Sequence, residues 1–137
     1  MTIRLMLVDD QDLPRESLAT VLGADPRIEV VASVGTGSAA VEQALLRRID
    51  IVLMDIRMPG MDGIQGTRAV LEHSPDTRVL VLTTFDLDEY VVQAIRAGAS
   101  GFLTKDARPA ELIEAIIAIS NGDAAVSPRA TATLLPW

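Results

Sequence analysis

An α/β fold with one parallel sheet covered by helices on both faces is predicted by three observations. Five short apolar runs recur at near-regular spacing along the 137 residues. Three of these runs are continuously apolar rather than alternating, as strands buried on both faces require. Each gap between runs carries apolar residues at helical spacing, and strand–helix alternation of this kind implies right-handed crossovers within one sheet.

The strands are expected at Ile3 to Val8, Ile28 to Ala32, Ile51 to Met54, Val79 to Leu82 and Gly101 to Leu103. The second run, which holds Glu29, has the composition of an edge strand. Leu18, Val21 and Leu22 after Pro14 mark a first helix, and Val41, Ala44 and Leu45 after Ser38 mark a second. Further helices are predicted over Ile64 to His73, over Asp88 to Ala97 with Gly98 as the stop, and over Pro109 to Ser120 before Asn121-Gly122. The simplest arrangement is a flavodoxin-like (βα)5 doubly wound parallel sheet with strand order 2-1-3-4-5. Residues 1–122 then form one domain, and 123–137 are a C-terminal tail or the start of a linker. The last helix carries Leu112, Ile113, Ala115, Ile116, Ile117 and Ile119, an arc wider than the ~100° stripe that one core face needs, so part of it is a candidate interface.

Composition narrows the function classes. A formal charge of -7 disfavours non-specific attraction to nucleic acid or anionic membrane, and no cluster of basic residues offsets it, so direct nucleic-acid binding by this chain is not expected. No apolar stretch approaches the ~18 residues of a membrane span. The chain has no cysteine, and its N-terminus runs straight into a strand ending in two aspartates rather than into a secretory signal, which is compatible with the cytoplasm.

The informative residues are polar ones at strand ends. Asp9 and Asp10 end the first strand, Asp55 the third and Thr83 the fourth, while Lys105 follows the fifth. In the order 2-1-3-4-5 the direction of growth reverses between strands 1 and 3, opening a crevice at their carboxyl ends that Asp9, Asp10 and Asp55 would line. Three carboxylates there call for a cation, and an all-oxygen set without His or Cys favours a hard one, with Mg2+ the best fit. The Met58-Pro59-Gly60-Met61-Asp62-Gly63 segment is a turn before the next helix, and the backbone carbonyl of Arg57 falls where it can face the metal. The Thr83 hydroxyl, on a strand beside Asp55, can bond a phosphoryl oxygen. Asp12 has the position and chemistry of an N-cap for the first helix.

Val8-Asp9-Asp10, Met54-Asp55-Ile56-Arg57-Met58-Pro59-Gly60-Met61-Asp62-Gly63, Leu82-Thr83-Thr84 and Gly98-Ala99-Ser100-Gly101-Phe102-Leu103-Thr104-Lys105 together resemble the receiver domain of two-component response regulators. Four motifs occur in the family's order across about residues 3 to 122. The resemblance implies that Asp55 is the phosphoacceptor for a sensor histidine kinase, that Asp9, Asp10, Asp55 and the Arg57 carbonyl hold Mg2+, that Lys105 contacts the phosphoryl group, and that Thr83 and Phe102 are a switch pair. Thr84-Phe85-Asp86-Leu87-Asp88-Glu89-Tyr90-Val91 and the Lys105-Asp106 ending look like the NarL/FixJ subgroup with a LuxR-type helix-turn-helix output. Such proteins regulate transcription, and the resemblance implies homodimerisation on phosphorylation and DNA contact through an output domain that this chain lacks. Many receivers have proline after the lysine, where this chain has Asp106, so a cis-proline bend is not assumed. Arg57 and Phe85 flank the approach of attacking water, which suggests a long-lived phosphorylated state.

Two other readings start from the same residues. A haloacid-dehalogenase-like hydrolase needs a second aspartate two residues after Asp55, where this chain has Arg57. A pseudo-receiver acting only as a protein-interaction module keeps the fold without the chemistry, and phosphorylation of Asp55 separates it from the phosphoacceptor reading.

Overall fold

A computed structural model describes residues 2–56, 62–83, 88–122 and 125–126. The continuous apolar runs become the centre of the sheet. β1 (Ile3–Val8), β3 (Ile51–Asp55) and β4 (Arg78–Thr83) are almost wholly buried, whereas β2 (Ile28–Val34), with Glu29 exposed, lies at the edge as its composition predicts. β5 (Gly101–Thr104) completes the expected parallel order β2-β1-β3-β4-β5. β1 has the bounds expected of it, the other four strands extend the expected ones by a residue or two, and in β3 and β4 the extension takes in Asp55 and Thr83 themselves.

Two expectations need correction. Ala125–Val126 belong to the sheet rather than to a tail outside it: as β6 they pair in parallel with β5, Gly101 opposite Ala125 and Phe102 opposite Val126. Two residues are too few to produce a periodic signal. Residue 137 and the rest of the segment beyond 126 lie outside the described residues. The second correction concerns α1 (Asp12–Gly23), which starts before Pro14 with Gln11 as N-cap and no side-chain capping bond. Asp12 is therefore inside the helix, and its carboxylate instead meets Arg15 at 2.9 Å, an ion pair one turn along the helix.

α2 (Gly37–Leu46) likewise begins ahead of Ser38, because the Thr36 side chain accepts from the Ala39 N–H at 3.1 Å. α3 (Gly63–His73) has a reciprocal cap in which Asp62 accepts from Ile64 and Gln65 while the Gln65 side chain accepts from the Asp62 N–H. α4 (Asp88–Arg96) is followed by Gly98 at φ +106, the left-handed stop expected there. α5 (Pro109–Ser120) opens on proline, and Glu111 accepts from the Arg108 backbone and guanidinium, bonds that hold its carboxyl below the usual range.

The sheet divides two apolar clusters. One holds Met6, Val52, Met54, Val79 and Val81 with side chains of α2, α3 and α4; the other holds Leu5, Leu7, Leu53, Leu80 and Leu82 with Leu22 of α1 and four residues of α5. On α5, Leu112, Ala115, Ile116 and Ile119 are buried against the sheet, while Ile113 and Ile117 remain half-buried. Ile113 packs against the margin of the second cluster, so of the wide apolar arc Ile117 is left over. Among the described residues no helix is long and apolar enough to cross a membrane.

Candidate functional site

Asp9, Asp55, Thr83 and Lys105 are carried to the same edge of the sheet by the ladder beneath them. Past the end of β1, the Asp9 N–H donates to the Val34 carbonyl at 3.1 Å, keeping Asp9 in line with the end of β2. Asp55 is the last residue of β3, and the next N–H, of Ile56, donates to the Leu82 carbonyl at 3.0 Å. The Lys105 N–H donates to the Thr83 carbonyl at 2.7 Å, tying the end of β5 to that of β4. The register fixes this placement, since Asp55 stands opposite Leu82 and Thr83 opposite Thr104.

Asp9, Asp10 and Asp55 each offer a carboxylate oxygen, and the three atoms lie within 4.8 Å of one another. Asp9 and Asp55 are buried and Asp10 is exposed, so the cluster opens to solvent on one side. Lys105 Nζ is 3.1 Å from Asp55 Oδ1 and 3.8 Å from Asp9 Oδ2. The other Asp9 oxygen, Oδ1, accepts from the Gln11 N–H at 2.9 Å. Two carboxylates at such a separation repel by about 3–4 kcal/mol at an effective dielectric near 20. Three carboxylates less one ammonium leave two negative charges. An all-oxygen donor set with a residual double charge and an open side suits a hard divalent cation.

Thr83 is buried at the end of β4, and Phe102 is also buried. Phe102 stands opposite Val81, and Thr83, two residues further along β4, projects from the same face as Val81. At the β5 exit the Thr104 hydroxyl donates to the Asp106 carboxylate, so the residue in the place of the common proline supplies an acceptor there. Arg57, Thr84 and Phe85 lie outside the described residues, as do the other residues of the loop from 57 to 61. A cavity of about 240 Å³ adjoins the cluster and is lined by Asp9, Gln11, Pro14, Thr104, Lys105 and Leu112 among others. A larger depression, about 390 Å³, lies at the opposite end of the strands around Ile3, Asp50 and Arg78 and includes none of the clustered carboxylates.

One residue next to the cluster escaped the sequence reasoning. Arg15 reaches back from α1 to the Asp9 carbonyl, Nη1 to O at 2.5 Å. The available signal was the i,i+3 spacing of Asp12 and Arg15, which marks an ion pair on the helix but does not reveal its contact with β1.

Comparison with known proteins agrees with this geometry. Residues 5–117 match the family model for the response regulator receiver domain. The chain is 42% identical over 122 residues to the uncharacterized transcriptional regulatory protein YxjL of Bacillus subtilis, covering 89% of this chain and 56% of that protein. It is 37% identical over 133 residues to the DNA-binding transcriptional activator DevR/DosR of Mycobacterium tuberculosis, covering 97% and 61%. A crystal structure of a LuxR-family two-component response regulator from Aurantimonas sp. SI85-9A1 superposes with a TM-score of 0.93 at 35% identity, covering 99% of this chain and 97% of that one. The chain spans roughly three fifths of the length of the curated relatives it matches. The order of strands, the acids at their ends and a family match over most of the sequence lead to one assignment: the chain belongs to the response regulator receiver domain family.

Proposed function

We propose that this chain is the phosphoacceptor of a two-component pathway, taking a phosphoryl group onto Asp55 from a phosphohistidine of a sensor kinase in the cytoplasm. The observation that carries the reading is the convergence of three carboxylates within 4.8 Å beside a lysine ammonium 3.1 Å from Asp55. Residues 1–122 act as the receiver. The longer curated relatives are transcriptional regulators, and by analogy the output is a helix-turn-helix DNA-binding domain outside residues 1–137.

An Asp55 oxygen attacks phosphorus, the P–N bond to the donor imidazole breaks, and the leaving imidazole keeps that bond's electron pair and takes up a proton from solvent. Asp9, Asp10 and Asp55, with the Arg57 carbonyl, are the residues that would hold Mg2+, which when bound offsets charge on the phosphoryl oxygens. Lys105 exchanges its contact with the carboxylate for one with the phosphoryl group, and the cavity beside Lys105 gives the donor a route in. The Thr83 hydroxyl turns to a phosphoryl oxygen, and the buried Phe102 ring corresponds to the inward member of the switch pair.

Incubation with acetyl phosphate and Mg2+, followed by intact mass, is expected to show a gain of one phosphoryl group that chelation prevents. No gain with Mg2+ present would defeat the proposal and favour the interaction-module reading. Phosphorylation is also expected to promote a homodimer through α4, β5 and α5, where Ile95 is 39% exposed and the half-buried Ile117 lies outside both apolar clusters. Equal sedimentation with and without an acyl-phosphate mimic would refute this.

A further inference from the structure

The peptide carbonyl between Asp9 and Asp10 lies beyond the last β1 ladder bond, and its acceptor is met by a side chain instead. Arg15 Nη1 donates to that oxygen at 2.5 Å, Nε donates to the Ser33 hydroxyl at 3.0 Å, and Nη2 donates to Asp12 Oδ1 at 2.9 Å. The Arg15 side chain is only 13% exposed. Gly35 leaves it room, because a Cβ there would stand 3.2 Å from Nη1. All three nitrogens of the guanidinium are used, on the residue that follows β1, on β2 and on α1.

We propose that Arg15 is a positioning residue that sets the relative orientation of the Asp9 and Asp10 carboxylates. The inference rests on the reading of those acids as the Mg2+ pocket. A peptide unit is planar, so gripping its oxygen fixes both the ψ of Asp9 and the direction in which the chain enters Asp10. The N–H side of Asp9 is already held by Val34 of β2. Arg15 holds the C=O side and is itself anchored to Ser33 of the same strand, so β2 supports Asp9 from both ends. A planar fork with several fixed donors can do this, whereas a lysine ammonium cannot match the geometry.

The sign of the effect separates positioning from simple electrostatics. If Arg15 acted only as a nearby positive charge, removing it would tighten binding of a divalent cation. If it orients the ligands, removing it weakens binding, as loss of groups that orient metal ligands does, by about 10-fold.

The test is calorimetric titration of the whole chain with Mg2+ alone, without phosphodonor, on wild type, Arg15→Met, Arg15→Lys and Ser33→Ala, each first shown to be folded by circular dichroism. Arg15→Met is expected to weaken Mg2+ by about 10-fold, Arg15→Lys nearly as much, and Ser33→Ala by about threefold. Should Arg15→Met fail to fold, Ser33→Ala decides, because it removes one anchor and leaves the guanidinium in place. Unchanged or tighter Mg2+ binding in Arg15→Met, full rescue by lysine, or a lowered melting temperature with unchanged affinity would each overturn the proposal. Wild type that binds no Mg2+ would instead defeat the receiver-site reading, and the role of Arg15 would fall with it.

Discussion

Replacing Asp55 by asparagine is expected to abolish the phosphoryl adduct altogether. The amide is nearly the same size, so the end of β3 and its bond from Ile56 to Leu82 are retained. What is lost is the anionic oxygen that must attack phosphorus, and a neutral amide does not replace it. The neighbouring acids are poor substitutes. Asp9 has one oxygen occupied by the Gln11 N–H and the other facing Lys105 at 3.8 Å, while Asp10 is exposed and outside the buried end of the sheet. Intact mass after acetyl phosphate and Mg2+ should therefore show the unmodified chain only. An adduct that persists in Asp55→Asn and maps to the Asp9–Asp10 peptide would show that the nucleophile has been misassigned.

Gly63→Ala should be the most damaging single-methyl change to stability. Gly63 opens α3 directly against the end of β3, its N–H donating to the Ile56 carbonyl at 2.9 Å. A Cβ at this position would stand 2.2 Å from the Asp55 carbonyl oxygen and 2.4 Å from the Ile56 Cα, both backbone atoms that cannot swing aside. Relief requires α3 to lift from the sheet, against the Asp62 cap and the buried Thr67 hydroxyl that donates to the Gly63 carbonyl at 2.7 Å. The expected cost is about 3 kcal/mol, the upper end for overpacking, which corresponds to a fall in Tm of ~10 °C for a domain of this size. The same displacement moves the Asp55 backbone, so phosphorylation should slow in the folded fraction. A thermal melt within a degree or two of wild type would contradict the close approach.

How much of this was legible beforehand depends on the kind of force involved. β3 and β4 could be read because a strand buried on both faces has little choice but continuous apolar residues, and the first polar residue after each run then marks the end of the sheet. Asp9, Asp55 and Thr83 stand out in that way, and Lys105 as the charged residue that closely follows the fifth run. The start of α1 was not, because residue type alone cannot tell whether a carboxylate will cap a helix or pair with a cation, and Asp12 pairs with Arg15. The same pairing concealed Arg15, whose reach to the Asp9 carbonyl depends on how α1 lies against β1 and β2. β6 was missed for want of length, and the close approach of Gly63 because it arises from the docking of a helix, not from local preference.

The separation of the two apolar clusters by the sheet has a consequence for signalling. Met54 and Leu53, or Val81 and Leu82, are neighbours in sequence yet serve different cores, one under α2, α3 and α4 and the other under α1 and α5. On the proposed phosphoacceptor reading, a shift at the tips of β3 and β4 would therefore be delivered to two separately packed layers at once. Substitutions that retune one layer need not disturb the other, so a single phosphorylation would govern surfaces on opposite sides of the molecule with separate sensitivities.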